Sequence, residues 1–99
     1  MDNLTAIVKA TRASASALAA QQRWGRAVSD LTAHVERLRT RHFDLKRAGK
    51  NNLAAEAEAE LGRALLDLDK ATKGRRAAHR RWTNAQAVLA ANALPGDAK

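Results

Sequence analysis

The chain has 99 residues with 18 Lys and Arg against 10 Asp and Glu, a formal charge of +8. Its 21 large apolar residues are too few for a sizeable globular core, whereas Ala, Glu, Lys, Leu and Arg supply 58, the composition of long helices and coiled coils. The absence of cysteine excludes disulfides and thiol chemistry, and no apolar run reaches membrane-spanning length.

The N-terminal MDNLT carries no basic and apolar leader pattern, so the expected location is cytoplasmic. Asp2 or Asn3 suits the cap of a first helix. Steps of three and four from Ile7 pass through Ala10, Ser14, Ala17, Gln21, Trp24, Val28, Leu31, Val35, Leu38, His42 and Leu45. This unbroken heptad seam predicts a helix over about residues 3–48. Lys46 and Arg47 fall in its last turn, where cations favour the helix dipole, and Gly49 suits the left-handed residue that ends it.

The cluster Gly49-Lys50-Asn51-Asn52 predicts the turn, with Asn51 or Asn52 as the next N-cap and Glu56, Glu58 and Glu60 in the first turns. A second seam runs from Ala54 through Ala57, Leu61, Ala64, Leu68, Ala71, Arg75, Ala78, Trp82, Ala85 and Leu89 to Asn92. It predicts a helix over about residues 52–93, ended by Pro95 and Gly96, with a flexible tail over 94–99. Gly62 and Gly74 interrupt this helical pattern, and a break at Gly74, producing three helices, is the main structural alternative. The expected architecture is all-α: one domain over 1–99, an antiparallel helical hairpin resembling a coiled coil and assembling into a larger helical bundle. Opposite residues should sum to about 101. Arg37, Arg39, Arg41, Lys46 and Arg47 then lie beside Glu56, Glu58 and Glu60 as surface ion pairs, each worth at most about 1 kcal/mol.

Two groups of residues are left over from the seams. Val8, Phe43, Leu65, Leu66 and Val88 are apolar and off-seam, and a second hairpin or another protein would cover them. Cations concentrate from Lys70 to Arg81: Lys70, Lys73, Arg75, Arg76, Arg80 and Arg81, with His79 and no acid between them. Arg23 and Arg26 are expected opposite, and Trp24 and Trp82 belong to the same belt. Guanidinium groups suit carboxylate and phosphate forks, although charge runs are commonly no more than solvated faces. Arg75 occupies a seam position, where it either stacks on Trp24 or reaches out to solvent. Gly25 and Gly74 are expected at one level, marking a bend, close helix packing or the approach of a partner.

Catalytic and metal patterns are missing. His34, His42 and His79 have no partner at ligand spacing, the serines have no base beside them, and no strand precedes a Gly-rich loop. No metal, cofactor, small-molecule substrate or enzymatic activity is therefore expected, and the Ala-rich apolar faces favour a helix partner over lipid. The sequence points to a non-catalytic protein-interaction module of the assembly, adaptor or phage-type inhibitor kind. Its site would be Arg23, Arg26, Lys73, Arg75, Arg76, His79, Arg80 and Arg81, with Val8, Trp24, Phe43, Leu65, Leu66, Trp82 and Val88 as the apolar part. The alternative is a hairpin that binds RNA or DNA phosphates without reading sequence.

Overall fold

The computed structural model describes residues 2–92. The chain forms two long α-helices packed against each other as a helical hairpin, α1 (Asp2–Arg47) and α2 (Asn51–Ala91), and no strand occurs among the described residues. α2 is continuous through Gly74, so the three-helix alternative does not hold. The expected tail over 94–99, with Pro95 and Gly96, lies outside the described residues.

The reversal comes one residue earlier than expected, with Ala48, Gly49 and Lys50 between the helices. Gly49 adopts φ 77°, the left-handed conformation that costs glycine nothing. Its N–H donates to the Lys46 carbonyl (3.1 Å), and the Lys50 N–H donates to the Leu45 carbonyl (2.9 Å). These two bonds form a Schellman closure and satisfy two of the end carbonyls of α1. The Lys50 carbonyl then accepts from the Ala54 N–H (2.9 Å), the first bond of α2. Lys50, not Asn51 or Asn52, therefore occupies the N-cap position. One residue ends one helix and begins the next. The first turn of α2 carries no acid, so the helix dipole does not account for Glu56, Glu58 and Glu60 as expected.

Two compact units divide the chain: Trp24–Lys73, called here the turn unit, and Met1–Arg23 with Gly74–Lys99, the terminal unit. In the turn unit, Val35, Leu38 and Ala64 form a buried cluster with Leu61 and Leu68 packed on it. Among the described residues of the terminal unit every buried apolar residue is alanine: Ala10, Ala17, Ala20, Ala78 and Ala85. Alanine favours the helix and permits close packing, but its methyl group removes little apolar area from water. The turn unit thus holds the larger hydrophobic contribution.

Both predicted seams are buried or half-buried along their whole length, apart from Arg75, which is exposed. Solvation of its guanidinium removes the cost of a charge at that heptad position. The cross-helix ion pairs expected near the turn are not those that form. Arg39 instead pairs with Glu36 one turn away on its own helix (3.0 Å), and the cross-helix contact is His42 to Glu58 (4.0 Å). The other arginines there are exposed, where water solvates a long side chain as well as a carboxylate does.

The three internal glycines with defined surroundings all have open space where a methyl group would stand, and they differ in backbone conformation. A Cβ at Gly25 or Gly62 would touch nothing within 4 Å, whereas Gly49 needs its positive φ. Close helix packing therefore does not explain Gly25. Gly25→Ala and Gly62→Ala should each stabilise the fold by up to about 1 kcal/mol in chemical denaturation, and Gly49→Ala should destabilise it by about 1 kcal/mol. Leu38→Ala should cost about 2–4 kcal/mol through lost burial and a cavity in the turn-unit cluster. Ala78, 0% exposed, should reject Leu at a cost of about 1–3 kcal/mol.

Candidate interaction surface

Charge is distributed unevenly between the two units. The turn unit holds ten basic and eight acidic residues; the terminal unit holds eight basic residues and, as acids, only Asp2 and Asp97. Of the chain's net +8, the terminal unit carries +6 and the turn unit +2. The expected belt is thereby redrawn. Arg23, Arg75, Arg76, His79, Arg80 and Arg81 belong to the terminal unit, whereas Arg26 and Lys73 belong to the turn unit. Lys73 is neutralised by Asp69, one turn earlier on α2 (2.9 Å).

Arg23, Arg75, Arg76, Arg80 and Arg81 are exposed, and none forms an ion pair among the described residues. Helical spacing distributes those of α2 around its free circumference. Arg76 and Arg80, four apart, share the outer face, a like-charge arrangement that weakens a helix by a few tenths of a kcal/mol. Arg75 lies at a seam position and Arg81 beside the seam residue Trp82.

His79 is occupied within the fold. Its Nδ1 is hydrogen-bonded to the Gln21 side-chain amide (3.3 Å), and its ring stacks on Trp82 with centroids 6.0 Å apart and planes at 27°. One heptad further along each helix, the Gln86 amide donates to the Ser14 hydroxyl (2.8 Å). These pairs sum to 100, one less than expected, in keeping with a reversal over Ala48, Gly49 and Lys50 that comes earlier than expected. His42 and Glu58 give the same sum within the turn unit. Asn92 makes no such cross-helix bond among the described residues; its side chain donates to the Val88 carbonyl of its own helix (2.8 Å).

The off-seam apolar residues are all exposed: Val8 and Val88 in the terminal unit, and Phe43 (62%), Leu65 and Leu66 (72%) in the turn unit. Leu4, Leu18 and Leu53 join them, which heptad counting did not single out. Trp24 and Trp82 are half-buried seam residues, Trp24 in the turn unit and Trp82 in the terminal unit. Lys9 and Arg12 are also exposed cations of the terminal unit missed by the search for a basic run. Their signal was present as the acid-free stretch from residue 3 to 29, the counterpart of the one from 70 to 96.

Among the described residues no helix is long and apolar enough to cross a membrane. No protein-family model, no curated protein and no solved structure matches the chain.

The unpaired arginines set an expected salt response. Raising sodium chloride from about 0.05 to 0.5 M screens their mutual repulsion. The midpoint of thermal unfolding should therefore rise by several degrees, and Arg76→Gln with Arg80→Gln should remove part of the rise. A falling midpoint would mean that attractive pairs dominate the surface.

Proposed function

We propose that the protein is a non-catalytic interaction module that docks on an acidic or nucleoprotein partner and associates with further copies of itself. The observation that carries this reading is the set of exposed terminal-unit arginines without counter-charge. Like charges held together on a short helical segment weaken the free protein and strengthen a complex with an anionic surface. The exposed Phe43 and Leu66 supply apolar area that a partner or a second copy would remove from water, at about 25 cal/mol per Å².

A second reading, binding to nucleic-acid phosphates, draws on the same arginines. Neither stacking aromatics nor a base-reading set accompanies them, so such binding would be independent of sequence.

Two measurements test these readings. Changing Phe43 and Leu66 to Glu should keep helicity by circular dichroism while lowering the assembly mass in multi-angle light scattering, or capture of the partner from the native host. Unchanged mass and capture would refute the apolar interface. A phosphate binder should bind duplex DNA or RNA with a log–log salt slope that becomes shallower when Arg75, Arg76, Arg80 and Arg81 are changed to Gln. No binding at low salt would eliminate the nucleic-acid reading.

A further inference from the structure

We propose that the terminal unit docks an amphipathic helix of a different protein, with acidic residues beside its apolar stripe, in the groove between α1 and α2. The inference rests on the interaction-module reading and specifies one of its contacts. The groove has a volume of about 500 Å³ and lies entirely within the terminal unit. Its floor is the buried Ala10, Ala17 and Ala85, and its walls include the exposed Ala13 and Val88. The buried positions of this lining are alanines, so no large side chain fills the shoulder between the helices there. Ala6, Ala10, Ala13 and Ala17 follow one another at helical spacing, giving a track of about 16 Å, three turns of an occupying helix.

Charge identifies the occupant. Lys9 lines the groove from α1 and Arg81 from α2, and no acid lines it among the described residues. An apolar stripe flanked on both sides by Asp or Glu would bury its apolar face and meet a cation on each side. A second copy of this chain fits poorly. Its three most exposed large apolar side chains lack acids on both sides: Phe43 lies between Arg39, Lys46 and Arg47, Leu66 lies between Arg63 and Lys70 with only Asp69 opposing, and Leu4 lies beside Ile7 and Val8. Nucleic acid would use Lys9 and Arg81 but gains nothing from an apolar floor.

The test pans a displayed library of 18-residue helical peptides against the full-length protein. Ala13→Trp serves as the comparison, since it fills the groove from an exposed position. Circular dichroism and the thermal midpoint confirm that this variant keeps the fold. Enriched peptides should carry apolar residues at i, i+3, i+4 and i+7 flanked by acids. In fluorescence anisotropy they should bind Ala13→Trp at least tenfold more weakly, and the double variant Lys9→Gln with Arg81→Gln several-fold more weakly. Arg76→Gln with Arg80→Gln, on the outer face of α2, should change affinity less than twofold. The proposal is overturned if no peptide is enriched, if enriched peptides lack acids, or if Ala13→Trp binds them equally well. It is also overturned if Ala13→Trp abolishes self-association or binding of a 20-base-pair duplex, which would assign the groove to a second copy or to nucleic acid. Failure here with a persisting effect of the Phe43 and Leu66 changes would remove the groove and leave the module reading standing.

Discussion

The antiparallel register of α1 on α2 is the constraint on which the remaining features depend. The buried alanines of α2 specify it weakly, since Ala57, Ala64, Ala71, Ala78 and Ala85 recur every heptad and a slide by one heptad exchanges methyl group for methyl group. Three features remove that degeneracy. The Schellman closure at Gly49 fixes where α1 stops, and the Lys50 carbonyl fixes where α2 starts, so the connection has one length. Ser14 with Gln86 and Gln21 with His79 then give the terminal unit hydrogen bonds that a shifted pairing would lose. The Val35, Leu38 and Ala64 cluster contributes shape-specific packing in the turn unit.

Different chemistry follows in the two units. Where leucine and valine fill the seam, acids and bases are nearly balanced and local ion pairs form, as between Lys73 and Asp69. Where alanine fills it, acids are almost absent and the arginines stand unneutralised. The less strongly packed unit is therefore also the self-repelling one. Such a segment gains more from a bound anionic partner than a well-packed, charge-balanced one does, because binding relieves repulsion as well as burying surface. The alanines have a second consequence: side chains too short to close the shoulder between two helices leave a groove lined by Lys9 and Arg81.

Most of the fold was legible because a single periodicity runs almost the length of each helix. Steps of three and four found the inward faces, and one glycine between two such runs found the reversal. What escaped depended on single residues. The difference between a sum of 101 and one of 100 lies in α1 stopping at Arg47 and α2 starting from the Lys50 carbonyl, which side-chain capping preferences at Asn51 and Asn52 do not reveal. The ion pairs near the turn were misassigned because sequence places charges at a level but not on a face. The candidate surface was half legible. The arginines of α2 form a visible run, whereas Lys9 and Arg12 lie far from that run in sequence and join the same unit only when the chain folds back. The acid-free stretches at 3–29 and 70–96 were a better guide than any basic cluster.

Paired cysteines test the register most directly, since the chain has none of its own. Four double variants pair Ser14→Cys or Gln21→Cys with His79→Cys or Gln86→Cys, and mild oxidation is followed by peptide mapping. The 14–86 and 21–79 pairs should form intramolecular disulfides, while 14–79 and 21–86, displaced by a heptad or about 10 Å, should not. Equal linkage in the displaced pairs, or linkage only between molecules, would contradict the hairpin register.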